Sequence, residues 1–283
     1  MRLLVLGNAA IDLAYSMEHL PTPGETVLAA AKHVDVGGKG LNQAVAAARA
    51  GAPTRLVAAI GDDRHGELIR TKLAAEGLAT DGLLVTASPS DESIVLVTPG
   101  GENVIVSTAA AARSLSIERA AVEIDALATG DLLLLQGNQT QLLTRTALLA
   151  ARQRGIRTML NPSPLAFDYG DLLDMVDIAV VNAVEAAALG SIGAHAVIVT
   201  DGARGARLCT VGCEEHVPAP SVMAVDTTGA GDVVCGVVAA GVVLGLPLVD
   251  ALRWAVAAAA CKVTRRGAFA GIPTAAELGA LRP

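Results

Sequence analysis

The chain of 283 residues is 52% hydrophobic and 17% charged. This composition is typical of a globular protein with a substantial core, and it excludes a disordered chain. Lys and Arg number 21 against 28 Asp and Glu, which gives a net charge of −7, and aromatic residues make up only 2%. We therefore expect no nucleic-acid partner, because polynucleotide-binding surfaces are basic and those for single strands carry stacking aromatic rings.

No membrane association is expected, because charged residues or glycine interrupt every apolar stretch before it reaches spanning length. The apolar run at residues 1–7 is too short for a signal peptide. The cysteines show no paired CxxC spacing, so we expect reduced, buried thiols rather than a zinc site or disulfides. These features predict a cytoplasmic protein. The four cysteines are Cys209, Cys213, Cys235 and Cys261.

The first predicted element is a buried strand over residues 2–6, which are apolar and end in Gly-Asn. Asp12 follows near the C-terminal end of this strand, the edge where ligands bind in open α/β sheets. Residues 13–36 and about 89–107 hold short, weakly alternating segments, with a hairpin turn at 99–103. Because these segments break the strand–helix alternation, we expect them to form a small β-sheet that projects from the main domain.

A glycine-rich turn, with glycine at positions 37, 38 and 40, precedes a predicted helix over residues 44–50. The glycines allow close approach of backbone, and Lys39 and Asn42 supply polar side chains there. The turn is not a Walker A loop, because Lys39 is followed by glycine, and the dinucleotide-binding G-x-G-x-x-G pattern is absent. From turn preferences alone, a simple helix cap is an alternative interpretation.

The remaining chain alternates between predicted strands and helices. Polar, Gly or Pro clusters follow the strands, which indicates a single ligand-binding edge of a parallel sheet. We see no internal repeat and no low-complexity linker, so residues 1–283 are predicted to form one domain. Predicted strands cover 54–60, 83–85, 132–135, 157–160, 176–181 and 196–200, and predicted helices cover 65–76, 117–127 and 141–154.

A second glycine-rich turn, Asp226-Thr-Thr-Gly-Ala-Gly-Asp232, leads into an apolar run over residues 233–244 that is typical of a buried helix. Small residues at a helix start leave N–H groups uncovered, and the macrodipole adds partial positive charge, so the turn suits a phosphate. Asp232 falls in the first turn, where a carboxylate could accept a proton from an attacking hydroxyl. This arrangement indicates phosphoryl transfer. The alternative is a capped core helix.

These two glycine-rich segments, in this order, resemble the ribokinase family of ATP-dependent sugar and nucleoside kinases, the phosphofructokinase-B type. The signatures are GGKGLNQAVAAARAGA at residues 37–52 and DTTGAGD at 226–232. The resemblance extends to residues 21–26, 101–105 and 263–268. It implies a ribokinase-like three-layer α/β sandwich with a mostly parallel central sheet and a small β-sheet lid. The lid is further implied to form a homodimer interface.

The resemblance implies that Asp232 is the general base for a sugar hydroxyl that attacks the γ-phosphate of ATP. It implies an anion hole for the transferring phosphoryl group, made by the N–H groups of Gly229, Ala230 and Gly231. Polar contacts to the substrate are implied at Asp12, Gly38, Lys39, Asn42 and Asn138.

ATP and Mg²⁺ are the implied cofactors, together with a monovalent cation such as K⁺. The residues that match nucleotide-binding and magnesium-proximal positions are Asn182, Glu185, Thr200, Asp201, Gly202, Ala203, Arg204, Gly205 and Val256. The residues that match the monovalent-cation site, the last three through backbone carbonyls, are Asp226, Thr228, Lys262, Arg265 and Gly267.

The chain departs from the ribokinase pattern at four places. Ala10 replaces an asparagine and Asn138 a glutamate near the sugar, so we expect a changed or relaxed substrate preference rather than ribose itself. Gly271 replaces a serine that assists the cation site, which weakens the expectation of K⁺ activation. The segment over residues 186–196 is shorter than the corresponding segment of ribokinases, so we expect a shortened or missing helix there.

Three functions remain in competition. A sugar kinase is favoured over a nucleoside kinase, because the family's nucleoside kinases stack the base on aromatic side chains and only Tyr15 lies near the expected site. A catalytically silent sugar- or nucleotide-binding protein is the third candidate, since fold alone does not fix function. The intact Asp232 turn favours an enzyme, because a binding module needs no base.

Overall fold

The computed structural model describes residues 1–99 and 103–283. Most of the turn predicted at 99–103, and residues 101 and 102 of the family-like segment 101–105, lie outside the described residues. The strands are β1 (Leu3–Leu6), β2 (Ala10–Ser16), β3 (Ala31–Gly37), β4 (Thr54–Gly61), β5 (Leu83–Thr86), β6 (Asp91–Val97), β7 (Asn103–Ser107), β8 (Leu132–Gln136), β9 (Arg157–Asn161), β10 (Ile178–Asn182), β11 (Ala196–Thr200), β12 (Ala206–Thr210) and β13 (Cys213–Val217).

Helices lie between most strands of the larger sheet, and three consecutive helices follow β13. The helices are α1 (Lys39–Arg49), α2 (Arg64–Ala75), α3 (Ala110–Arg113), α4 (Ile117–Asp125), α5 (Gln141–Gln153), α6 (Ala183–Leu189), α7 (Ala230–Val243), α8 (Leu248–Val263) and α9 (Ala275–Leu281). Two short 3-10 helices span Gly170–Met175 and Gly202–Arg204.

The main sheet has nine strands in the order β13-β12-β11-β10-β9-β8-β1-β4-β5. All neighbours from β11 to β5 are parallel, and only β12 and β13 are antiparallel. Side chains alternate along each strand, so Leu3 and Val5 enter one core while Leu4 and Leu6 enter the other. Helices α1, α7 and α8 cover the first core, and α4 and α5 cover the second. This confirms the predicted three-layer sandwich with a mostly parallel sheet.

The second sheet has four strands in the order β3-β2-β6-β7. Within the segment 13–36, β3 begins only at Ala31, because the Pro- and Gly-containing residues before it form turns and irregular backbone. One row across the sheet joins Asp35, Asp12, Ser93 and Ser107, and the next row joins Val34, Leu13, Ile94 and Val106. Successive rows point to opposite faces. We call this four-stranded sheet the lid.

Two local expectations were wrong. Helix α1 begins at Lys39 rather than at residue 44, because Gly38 with a φ of 95° is its N-cap and Gly40 lies inside the helix. The cysteine thiols are unpaired, but only Cys235 is fully buried, and Cys213 is exposed at the edge hairpin formed by β12 and β13. Residues 186–196 contain the end of the seven-residue α6 and the connection to β11, and no α6 residue is buried. Among the described residues, no helix has the length and apolar character to cross a membrane.

Candidate active site

The chain turns sharply before α7, at the DTTGAGD segment. Gly229 is the N-cap of α7 and has a φ of 79°, in the left-handed region that favours glycine. Among the described residues, the backbone N–H groups of Gly229 and Gly231 have no acceptor, whereas the N–H of Ala230 donates to the oxygen of Thr227 at 3.2 Å. Two of the three amides expected in the anion hole are therefore available to an anion, and the helix macrodipole favours one there.

Asp232 is buried in the first turn of α7, and two amide side chains from α1 hold its carboxylate. Asn42 Nδ2 donates to Oδ2 at 3.2 Å, and Gln43 Nε2 donates to Oδ1 at 3.0 Å. Gln43 Oε1 in turn accepts a hydrogen bond from Gln136 Nε2 at 2.8 Å. Gln43 Nε2 also lies 3.2 Å from Asn161 Oδ1. This network fixes the orientation of the carboxylate before any substrate binds.

The prediction from sequence did not include Gln43, Gln136 or Asn161 among the site residues. Gln43 is fully buried within a helix whose other buried residues are mainly alanine and valine. A buried amide in such a helix must find hydrogen-bond partners. That rule was the available signal, but it does not say that the partner is a carboxylate on α7.

Close packing of α1 against α7 brings these amides within reach. Gly236 lies one helical turn after Asp232, and a Cβ at this position would be 2.4 Å from Gln43 O and 2.7 Å from Ala46 Cβ. Only glycine allows the two helices this separation. The spacing of the helices and the hydrogen bonds to Asp232 therefore depend on each other.

Asp12 lies on the lid beside Asp35 of β3 and Ser93 of β6. Burial raises the pKa of Asp12 to about 7, the charge of Asp232 adds to this effect, and a hydrogen bond from Ser93 opposes it. The electrostatic coupling of Asp12 to Asp232 places the two carboxylates in one site. Asp12 has a pKa near neutral pH, and Asp232 is held by two amide side chains. Carboxylate pairs with a shifted pKa in one cleft are typical of functional sites.

The other residues expected to bind substrate lie around the start of α1 and the end of β8. Gly38 caps α1, and Lys39 is the first residue of that helix. The Oδ1 atoms of Asn42 and Asn138 are buried and have no hydrogen-bond partner among the described residues. A buried amide oxygen without a partner is costly, so both oxygens are available to a ligand hydroxyl.

A cavity of about 560 Å³ extends from the start of α7 to the C-terminal ends of β10 and β11. Ala230 and Gly231, which are expected in the anion hole, line one end together with Lys39. Aliphatic side chains of α7 and α8 line much of the rest, as expected of a small-molecule site. The predicted nucleotide-binding residues that line this cavity are Asn182, Glu185, Thr200, Gly202, Ala203, Gly205 and Val256.

Two of the predicted nucleotide-binding residues, Asp201 and Arg204, are not in the cavity lining. Their side chains bind each other instead, with two contacts of 2.7 Å at the surface. Asn182 and Glu185 form a reciprocal capping box at the start of α6, with hydrogen bonds of 2.8 and 2.9 Å. The capping box positions the Glu185 carboxylate beside the cavity.

The five residues expected at a monovalent-cation site converge at the first residues of the DTTGAGD segment and beside it. The carboxylate of Asp226 accepts hydrogen bonds from Thr228 N at 2.9 Å and from Gly267 N at 2.8 Å. Burial opposes ionisation of Asp226, but these hydrogen bonds and the charge of Lys262 outweigh it, so the pKa of Asp226 lies below its ordinary value. Arg265 forms an ion pair with Glu277 through its side chain.

Lys262 enters this cluster through its side chain rather than through its carbonyl group alone. Its Nζ donates to the main-chain oxygen of Asp226 at 2.8 Å, and the residue is fully buried. Burial lowers the pKa of Lys262, and the nearby carboxylates of Asp226 and Asp232 oppose this effect. The role expected from sequence, a backbone ligand, did not anticipate a buried ammonium at this place.

Comparisons with known proteins agree with this geometry. The sequence pattern of the pfkB family carbohydrate kinases matches residues 1–275. The chain is 32% identical over 295 aligned positions to the ribokinase of Haemophilus influenzae, covering 97% of this chain and 96% of that protein.

Solved structures show the same relationship along the whole chain. The ribokinase of Thermotoga maritima superposes with a TM-score of 0.87 at 29% identity, covering 99% of each chain. The ribokinase of Arabidopsis thaliana, solved with ribose and ATP, superposes with a TM-score of 0.82 at 28% identity, covering 99% of this chain and 98% of that one. The fold and the family expected from the two glycine-rich signatures are therefore confirmed. This chain belongs to the pfkB family of carbohydrate kinases, phosphotransferases with an alcohol group as acceptor.

Proposed function

We propose that this kinase transfers the γ-phosphoryl group of ATP to a hydroxyl group of a small sugar, a pentose, a ketohexose or a relative. One observation carries the proposal. Asp232 is buried at the start of α7, is oriented by Asn42 and Gln43, and adjoins available helix N–H groups at the mouth of a large cavity. A fixed carboxylate beside an anion site is what proton removal from an attacking hydroxyl requires.

The nucleotide occupies the large cavity in this proposal. Its phosphates lie against the start of α7, where Gly229 and Gly231 offer N–H groups. The N–H of Ala230 can leave the oxygen of Thr227 and donate to a phosphate oxygen instead. The adenine base packs in the aliphatic part, where Val256 lies. Preorganised N–H donors stabilise the negative charge of the transferring group.

A magnesium ion fits this site as a companion of the nucleotide. Within residues 1–99 and 103–283, no group of three or more His, Cys, Asp or Glu residues is placed to hold a metal by itself. Mg²⁺ is usually held by one or two carboxylates together with substrate phosphates. Glu185 in the cavity wall is the carboxylate for that role, and the bound ion would neutralise phosphate charge.

The sugar lies between the lid and the start of α1 in this proposal. The Asp12 carboxylate and the unpartnered oxygens of Asn42 and Asn138 accept hydrogen bonds from its hydroxyl groups. Tyr15, the aromatic residue that could stack a nucleoside base, is on β2 an odd number of positions from Asp12 and thus on the other lid face. Its ring contacts Lys32 instead, with Nζ 5.5 Å from the ring centroid. This favours a sugar over a nucleoside.

The proposal also covers the role of the lid, the association of two copies and the cellular location. The whole chain acts as one kinase domain with the lid covering the sugar, and two copies associate through the exposed lid face. That face carries the row of Val34, Leu13, Ile94 and Val106, of which Val106 is 63% exposed. The unpaired thiols among the described residues agree with a reducing, cytoplasmic setting.

A coupled ADP-release screen over pentoses, ketohexoses, sugar phosphates and nucleosides tests the proposal. We expect one class of sugar to stimulate turnover, and Asp232→Asn to lower kcat by about 10²–10⁴, the usual contribution of a general base. Stimulation by nucleosides alone would assign the chain to nucleoside phosphorylation. Binding of sugar in a thermal-shift assay without turnover would identify a silent binding protein and contradict the proposal.

A further inference from the structure

Lys262 places a positive charge inside the protein, directly behind the catalytic turn. It lies in the last turn of α8 and is fully buried, and its Nζ donates to the main-chain oxygen of Asp226 at 2.8 Å. Burying an ammonium is costly unless it is paired and hydrogen-bonded. Here the nearby Asp226 carboxylate supplies the opposite charge. The Lys262 ammonium is therefore held in one defined position by the Asp226 oxygen and the Asp226 carboxylate.

The side chain of Lys262 runs through the group of carbonyl oxygens that the sequence suggested as cation ligands. A Cβ on Gly271 would lie 2.6 Å from Gly267 O, 3.0 Å from Lys262 Cε and 3.5 Å from Arg265 O. The lysine stem and these two carbonyls thus surround one small space. Glycine at position 271 leaves that space to the lysine.

These residues do not fit a bound K⁺ ion. The stem of Lys262 fills the space beside the Gly267 and Arg265 carbonyls. The main-chain oxygen of Asp226 already accepts a hydrogen bond from the Lys262 ammonium. A second cation among the same oxygens would meet a like charge a few ångströms away, which is strongly unfavourable in a buried setting.

We propose that the Lys262 ammonium is a tethered substitute for the monovalent cation, so that phosphoryl transfer by this kinase is independent of K⁺. The inference rests on the proposed kinase function. Lys262 acts as a positioning residue. It holds Asp226 O, while the Asp226 carboxylate holds Thr228 N and Gly267 N, and this fixes the loop that leads to the Gly229 turn.

The first test uses the unmodified enzyme and needs no variant. The rate of ADP release is measured with saturating Mg·ATP and sugar in N-methylglucamine chloride, and again with KCl, NH₄Cl or NaCl added at constant ionic strength. We expect rates within about twofold of one another, a difference below roughly 0.5 kcal/mol in transition-state free energy. Stimulation by K⁺ of about tenfold or more would overturn the proposal.

Two variants of Lys262 separate its charge from its packing. Lys262→Met keeps the stem and removes the charge, so we expect kcat to fall roughly tenfold or more with no recovery in K⁺, because the space stays filled. Lys262→Ala removes both, so we expect a similar fall that K⁺ or NH₄⁺ reverses. The control Arg266→Met removes an exposed charge four residues away, and we expect it to behave as the unmodified enzyme. A Lys262→Ala enzyme that is folded but not rescued by any cation would contradict the proposal.

A direct readout does not depend on activity. Crystals soaked in rubidium chloride are compared in anomalous difference maps, and we expect a peak beside Asp226 O in Lys262→Ala and none in the unmodified protein or in Lys262→Met. A peak at that oxygen in the unmodified protein would overturn the proposal. Because this experiment needs no acceptor sugar, it decides the question even if the screen finds no turnover and the proposed function fails.

Discussion

Gln43 Nε2 donates to Asp232 Oδ1 at 3.0 Å, and the two residues are 189 positions apart in the chain. The hydrogen bond joins α1, which begins at the proposed sugar side, to α7, which begins at the proposed phosphate side. It therefore couples the two halves of the site. An enzyme that must align a hydroxyl, a base and a phosphorus atom gains from such a link, because small misplacements of reacting groups are costly.

Replacement of Gln43 by leucine should lower kcat more than it changes the KM for either substrate. Leucine keeps the site filled with a side chain of comparable size, but Asp232 loses the donor to Oδ1 and can rotate, and Gln136 Nε2 loses its acceptor on Gln43. We expect a fall in kcat of about ten- to a hundredfold with ATP affinity unchanged, as for loss of an interaction that acts mainly in the transition state. Steady-state kinetics measure kcat and the two KM values, and calorimetry measures the affinity for ATP. A change confined to the sugar KM would contradict the orienting role.

Two glycines of the DTTGAGD turn offer a matched pair of substitutions. Gly229→Ala places a side chain at a φ of 79° and 3.1 Å from Ala268 Cα and Cβ, which costs about 1–2 kcal/mol from the left-handed backbone alone. Gly231 does not have a positive φ, and apart from its chain neighbours and its own helix backbone no atom lies within 4 Å of the position that an added methyl group would take. Gly231→Ala should therefore leave stability unchanged or slightly raised.

The two variants should therefore differ in how they lose activity. We expect Gly229→Ala to lower the melting temperature by several degrees, at about 2–4 °C per kcal/mol for a domain slightly smaller than this one. Gly231→Ala should keep its melting temperature but raise the KM for ATP, because its methyl group enters the cavity that Gly231 lines. Thermal melts and ATP titrations check both. Equal behaviour of the two variants would argue against a phosphate site at this turn.

The pKa of Asp12 gives a prediction about pH. The ordinary carboxyl value is 3.8 and the folded value is about 7, so the folded state binds the proton more tightly than the unfolded state does. The stabilising contribution of the protonated form is complete below 3.8 and is lost as pH rises through about 7. We expect Asp12→Asn, which cannot ionise, to gain stability relative to the unmodified protein between about pH 4 and pH 8.

Substrate binding should show the opposite dependence. Only the ionised carboxylate of Asp12 accepts hydrogen bonds with both oxygens, so the sugar KM should fall as pH rises through about 7. In Asp12→Asn the sugar KM should be high and nearly constant over the same range. Melting temperatures and sugar KM values at matched pH, for both proteins, test the two statements together. A sugar KM with the same pH profile in both would exclude Asp12 as the titrating group.

The strands and the DTTGAGD turn were predictable because their signals are local, and the resemblance of the two glycine-rich signatures then implied the fold. The apolar run that includes Leu3 to Leu6 and the glycines before α7 can be read from neighbouring positions. The contacts of Gln43 and Lys262 are not local, since they join segments 189 and 36 positions apart. Their residue types showed only that each was polar within an Ala- and Val-rich helix. Which buried group each would meet depends on how the helices pack.

The lid gives a last prediction, about assembly. Val34, Ile94 and Val106 are 43%, 43% and 63% exposed in one row across three of its four strands, with Leu13 completing the row. Leu13, between Val34 and Ile94, is partly buried against the main core, and the exposed apolar side chains on either side of it mark an interaction surface. In the proposed homodimer this row meets its copy, so Val106→Lys should bring two charges together in an apolar contact and shift the protein to monomer. Light scattering with size-exclusion chromatography measures the mass at about 10–100 μM, where dimers of ordinary affinity persist.

A control substitution distinguishes a specific interface from general effects of added charge. Val122 on α4 is 61% exposed, similar to Val106, and lies on a different part of the surface. Val122→Lys should therefore leave the dimer intact. If the lid of one copy also covers the sugar of the other, Val106→Lys should raise the sugar KM while the ATP KM stays constant. A monomeric unmodified protein over the whole concentration range would refute the lid interface, whatever the two variants do.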